Sequence, residues 1–174
     1  MPVRHATIDE IHTLVEAFAA LSWPAAREQM TGIARELEWT VRLERDKGID
    51  FATAFSFGRT PASVLLDDGA IAQVTVQVST RIEESDADER AELALAYEDV
   101  CSMLVGLLHD PARTRRGSLP KTSWDLGNGG RIAVARLSRV VTIDVIQQRY
   151  ADIERFEESR GITGDRDPLA DSDA

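Results

Sequence analysis

The chain has 174 residues, 43% of them hydrophobic, and a formal net charge of -10 from 30 Asp and Glu against 20 Lys and Arg. A chain of this length buries about 68–70% of its unfolded surface, so it needs no disulfide or metal to fold; wholesale disorder is excluded, and the single cysteine excludes an internal disulfide. The acidic balance argues against nucleic acid and anionic membrane as partners, because phosphates are repelled. No run approaches the ~18 apolar residues of a membrane span, and the N-terminal residues lack the apolar core of a signal peptide. The expectation is therefore a soluble, cytoplasmic protein.

Thr7-Ile8-Asp9-Glu10 has the form of a capping box. Ile11, Leu14, Val15, Phe18 and Leu21 follow at helical spacing. A second helix is expected from Ser22-Trp23-Pro24, since proline suits the first helical position, with Met30, Ile33, Ala34 and Leu37 as its apolar stripe. The period then falls to two. Trp39, Val41 and Leu43 alternate, as do Ile49, Phe51, Phe55 and Phe57, around a turn at Asp46-Lys47-Gly48. Val64 and Leu66 lead into Asp67-Asp68-Gly69, a hairpin turn whose central residues tolerate positive φ, and Val74, Val76, Val78 and Ile82 come after it.

Ser85 is the expected cap of the longest helix, over 86–109, with Asp86, Asp88 and Glu89 matching the positive end of its dipole. Its buried stripe is Leu93, Tyr97, Val100, Cys101, Leu104 and Leu108, and Pro111 stops it. A basic loop follows with Arg113, Arg115, Arg116 and Lys121. Thr122, Trp124 and Leu126 alternate up to a turn at Asn128-Gly129, and Ile132, Val134, Leu137, Val141, Ile143 and Val145 continue the strands. A last helix over 147–160 ends at Gly161. Strands come in hairpin runs, which predicts a single α+β domain over 1–161: a mostly antiparallel sheet of about six or seven strands with helices packed on one face. Residues 162–174, with Asp165, Asp167, Asp171 and Asp173, read as a disordered acidic tail.

The equipment of an enzyme is missing from this pattern. His5, His12 and His109 are far apart, and no HExxH or CxxC spacing occurs, so no metal site is expected. His109 suits the dipole at a helix C-terminus. Cys101, on an apolar stripe, reads as a core residue and not a nucleophile. Gly127-Asn128-Gly129-Gly130 lacks the Lys-Ser/Thr of a phosphate loop and reads as a hairpin turn. The basic loop over 113–121 could bind an anion or pair with acidic surface nearby. The expectation is a non-enzymatic binding protein without cofactor, acting on a basic or anion-binding partner. Trp23, at a helix boundary, is a candidate interface anchor. The candidate contacts are acidic residues on projecting structure: Asp67 and Asp68 at a hairpin tip, and Glu83, Glu84, Asp86 and Asp88 at the mouth of the long helix.

Several features recur together: Trp23-Pro24, Leu37-Glu38-Trp39, Ala96-Tyr97, Trp124-Asp125-Leu126 with Asn128-Gly129-Gly130-Arg131, and Tyr150-Ala151-Asp152 with Arg155, Glu157 and Gly161. In order and spacing, over about residues 7–161, they resemble small acidic actinobacterial toxin-immunity domains, the group of the immunity factor for tuberculosis necrotizing toxin. The resemblance implies a cytosolic antitoxin that forms a one-to-one complex with a toxin protein, an NAD glycohydrolase domain, and blocks its active site. It transfers no catalytic or interface residue. A secretion chaperone or adaptor, an immunity protein for a different toxin, and an enzyme with a non-obvious site are the alternatives.

Overall fold

Alternating apolar residues in the hairpin runs build one continuous sheet. The computed structural model describes residues 2–162, so the tail expected over 162–174 lies, from residue 163 on, outside the described residues. The elements are α1 (Ile8–Ala19), α2 (Arg27–Glu36), β1 (Thr40–Arg45), β2 (Gly48–Ala52), β3 (Pro61–Asp67), β4 (Ala70–Gln77), α3 (Ala87–Leu107), β5 (Arg113–Arg115), β6 (Lys121–Asp125), β7 (Arg131–Arg136), β8 (Val141–Ile146) and α4 (Gln148–Ser159). The eight strands run in the order β1-β2-β3-β4-β8-β7-β6-β5, with every pairing antiparallel. The fold is α+β: two four-stranded meanders meet along β4 and β8, and α3 carries the chain from one to the other. The strand beyond the expected six or seven is β5, three residues within the basic segment expected as a loop.

Side-chain alternation sets the two faces. Ile132 and Val134 of β7 point to the same side as Trp124, Ile143, Val145, Val74 and Val76, and join the core under α1, α2 and α3. Ile11, Leu14 and Phe18 of α1, Met30 and Ile33 of α2, and Leu93, Val100 and Leu104 of α3 fill it. Each such side chain, fully withdrawn from water, contributes about 1.5–3 kcal/mol. Arg131, Ala133 and Ala135 point to the opposite side, where α4 is held by Arg131.

Local expectations shifted in four places. Helix α1 opens with the expected capping box, Thr7 Oγ1 accepting from Glu10 N and Glu10 accepting from Thr7 N. Helix α2, however, starts at Arg27, not at Ser22-Trp23-Pro24. Ala26 is extended and bridges Ala70 at the start of β4, through Ile71 N to Ala25 O (2.8 Å) and Arg27 N to Gly69 O (3.0 Å), so pairing overrides the proline signal. The cap of α3 is Asp86 and not Ser85, because its carboxylate reaches the free amides of Asp88 and Glu89. Phe55 and Phe57 lie beyond β2 and stack on each other at 5.5 Å. A bulge between Val41 and Leu43 breaks the alternation of β1, setting Val41 opposite Phe51 and Leu43 opposite Asp50.

Candidate functional site

The two acidic groups picked from sequence stand at opposite ends of the sheet. Asp67 and Asp68 close the β3–β4 hairpin, whereas the chain reaches Glu83 only after running the length of β4 and pairing Ile82 N with Arg139 O in the β7–β8 turn. The eight residues of β4 span about 25 Å at strand rise, so the groups form two separate patches.

The patch at the start of α3 is partly consumed by folding. Asp86 Oδ1 accepts from Asp88 N at 2.9 Å and Glu89 N at 3.0 Å, ending two of the orphan donors of the helix. Glu83 Oε2 meets Arg139 Nη2 at 3.0 Å, while Glu83 N donates to Glu89. Glu84 and Asp88 are exposed.

The hairpin patch is better placed to meet a partner. Asp68 (φ 49) and Gly69 (φ 75) both occupy the left-handed region that a tight two-residue hairpin turn demands. The turn is anchored from behind by Arg27 N on Gly69 O. At its side, Tyr150 donates its hydroxyl to Asp67 Oδ2 at 2.7 Å, with Arg149 Nη1 at 3.8 Å from the same oxygen. That hydrogen bond to Asp67 pushes the Tyr150 phenol up. Next to the tip lies an open cleft of about 610 Å3, walled by Trp23 and Pro24 and rimmed by Asp67, Asp68, Arg149 and Asp152. The Trp23 indole sits against Gly130: a Cβ there would lie 2.6 Å from Trp23 Nε1. Three carboxylates and one indole thus border this cleft together with the Arg149 guanidinium, Asp67 being engaged by Tyr150 and Asp152 by Arg155.

The remaining sequence candidates fall into structural roles. Cys101 is half-buried, and burial pushes its thiol up to about 11, leaving little thiolate at neutral pH. Neighbouring Tyr97, pushed by burial to about 12, shares a 2.8 Å hydrogen bond with Thr122. His5 meets Asp99 at 3.4 Å and His12 meets Glu16 at 3.1 Å. His109 lies past the end of α3, and both ring nitrogens face carbonyls, of Asp110 and Asp125, which raises its pKa. The 127–130 segment is the expected hairpin turn, tied to α1 by Asn128 Nδ2 on Phe18 O and Leu21 O. The basic segment is divided between faces: Arg113 turns to α4 and meets Glu158 at 3.2 Å, while Arg116 borders a cleft beside α3. Among the described residues, no three His, Cys, Asp or Glu side chains converge as a metal-ligand set, and no helix is long and apolar enough to cross a membrane.

Sequence reading missed an ion network under α4. Arg131, only 1% exposed, reaches Asp125 (2.9 Å), Glu154 (3.0 Å) and Glu158 (2.7 Å). Arg155 bonds Asp125, Asp152 and the carbonyl of Gly129. Burial opposes the charge of Arg131, but the hydrogen bonds it donates to Glu158 and Asp125 outweigh it and raise its pKa. The same bonds overcome burial at Asp125 and Glu158 and hold both carboxyls below their usual range. The signal was present as Asp125 and Arg131 flanking the Asn-Gly turn, with acidic residues four apart at Glu154 and Glu158. The network fixes α4, and thereby Arg149, Tyr150 and Asp152, beside the hairpin tip.

No curated protein and no solved structure matches the chain. Residues 9–147, which run from α1 to the end of β8, match the profile of a family of unknown function, DUF6301; the chain belongs to that family.

Proposed function

We propose that this protein is a cytosolic immunity protein, which binds a toxin domain one-to-one and occupies the cationic site where that toxin holds its dinucleotide substrate. The observation that carries this reading is the anchored Asp67-Asp68 tip beside the Trp23-walled cleft. A site that cleaves NAD must hold a pyrophosphate, for which arginine or lysine is the usual means. The cleft beside the tip, about 610 Å3 in volume, offers room for such a side chain. The Asp67 carboxylate is held by Tyr150 before binding, which lowers the ordering cost of the complex. The net charge of -10 steers a basic surface toward the molecule.

The test is co-expression with NAD-hydrolysing toxin domains, followed by pull-down and measurement of cellular NAD. Protection of the NAD pool with a one-to-one complex is expected. Asp67→Lys with Asp68→Lys is expected to lose protection and to slow association while making it less sensitive to salt. The same reversal at Glu84 and Asp88 should leave protection intact. A folded tip variant that binds and protects like the parent would overturn the assignment of this surface.

A further inference from the structure

The second binding feature lies away from the acidic tip, on the α3 side of the second meander. A cleft of about 650 Å3 opens between α3 and the segment from β5 to β6. Tyr97, Cys101, Thr122 and Trp124 line its buried end, where the Tyr97–Thr122 hydrogen bond supplies polar groups. Arg115, Arg116 and Arg136 border it, against one carboxylate, Glu98. Arg136 also lines an adjoining hollow of about 370 Å3, to which Arg90 contributes.

This concentration of arginine is unusual in so acidic a chain. Alternation explains the placement of Arg136, which is two residues beyond Val134 on β7 and shares its face, the face that meets α3; Arg115, two residues from Arg113, also lines the hollow on the α4 side. Arg115 is fastened, donating from Nη2 to Leu119 O at 3.3 Å. Among the described residues, the guanidinium groups of Arg116 and Arg136 meet no carboxylate within ion-pair distance, although Asp and Glu outnumber Lys and Arg by 30 to 20. Two unneutralised guanidinium groups bordering one cleft repel each other, and an anion between them relieves that repulsion. The guanidinium fork matches carboxylate and phosphate oxygens in pairs, and the volume falls within the roughly 300–1,000 Å3 of small-molecule sites.

We propose that this cleft binds a small polyanion, a molecule bearing at least two phosphate or carboxylate groups, between Arg116 and Arg136 with Arg115 at the rim. An extended acidic peptide is the rival occupant. It is disfavoured because β5, the edge strand beside the cleft, offers only three residues for main-chain pairing.

The test is titration calorimetry of the whole protein at low salt, with inorganic pyrophosphate and citrate as probes, one for each anion chemistry, and a hexa-aspartate peptide as the rival. Saturable one-site binding of at least one small probe is expected. Arg116→Ala and Arg136→Lys should each weaken it about tenfold, the effect of losing one charged hydrogen-bonding pair. Arg149→Ala, at the far end of the sheet, should not. Arg116 is exposed, so its variant tests the site even if the Arg136 variant fails to fold. The bound probe should also slow thiol labelling of Cys101. No saturable binding, unchanged affinity in both folded variants, unchanged labelling, or tighter binding of the peptide than of either small probe would each overturn the proposal.

Discussion

Replacing Arg131 by Met keeps the length and apolar stem of the side chain and removes only its charge and donors. Arg131 is essentially inaccessible to water and holds three carboxylates at 2.7–3.0 Å. Breaking a buried ion pair by deleting one partner costs about 3–5 kcal/mol. Here the carboxylates keep 24–39% of their side-chain surface exposed, and water can take up part of the lost interaction, which places the loss near the lower end, about 3 kcal/mol. Arg155 still holds Asp125 and Arg113 still holds Glu158, so the network weakens without vanishing. At about 2–4 °C per kcal/mol for a chain of this size, the melting temperature should fall by about 6–12 °C. The pH dependence is a second check. Asp125 and Glu158 have lowered folded pKa values, so the stability they contribute is present above their unfolded values and is lost as pH falls through the folded ones. In the variant those carboxyls lose the cation that lowered them, and protonation relieves their mutual repulsion. The gap between parent and variant, measured by urea unfolding with tryptophan fluorescence, should therefore narrow as pH drops below about 4. A loss under about 1 kcal/mol, or a gap independent of pH, would refute the view that this network secures α4.

Asp144→Asn should stabilise the protein at neutral pH by up to about 1 kcal/mol: burial raises the Asp144 pKa, so its contribution is greatest when protonated and declines as pH rises through the folded value, and the advantage of Asn should disappear in acid denaturation curves at low pH. Gly130→Ala places a methyl group 2.6 Å from Trp23 Nε1 and 3.0 Å from Ile146 O and should cost about 1–3 kcal/mol; Gly127→Ala, with nothing within 4 Å, should be far milder, and equal melting temperatures for the two would contradict the packing described. Cys101, with its thiol pushed up to about 11, should react with a disulfide reagent at pH 8 roughly a hundredfold more slowly than an exposed cysteine; labelling at the free-thiol rate would rule out its burial.

The hairpins were legible because alternation with Asp-Gly or Asn-Gly turns is a local signal. The β3–β4 turn and the β6–β7 turn stand where Asp68-Gly69 and Asn128-Gly129 placed them. What escaped was set by partners distant in sequence. The true start of α2 depends on pairing with β4, and β5 exists because Thr114 meets Thr122 in an adjacent strand. The burial of Arg131 depends on α4 returning over the second face. The same limit applies to the candidate sites. Composition marked carboxylates and a basic segment, but only the course of β4 shows that Asp67 and Glu83 are far apart, and only the tertiary structure shows Arg113 on the α4 side and Arg116, just past the end of β5, bordering the cleft beside α3.

The seam between the two meanders has a kinetic consequence. Within each meander, strands pair with their sequence neighbours, so loop closure is short and fast. The seam instead joins Gln73 to Ile146 and Gln77 to Thr142, and closing it requires α3 and three further strands to be accommodated first. Each half can thus zip up independently, with union of β4 and β8 as the late, slow event. Pulsed hydrogen exchange during refolding should show β2–β3 and β6–β7 amides protected before those of the seam; simultaneous protection of all three ladders would mean that the sheet forms as one unit.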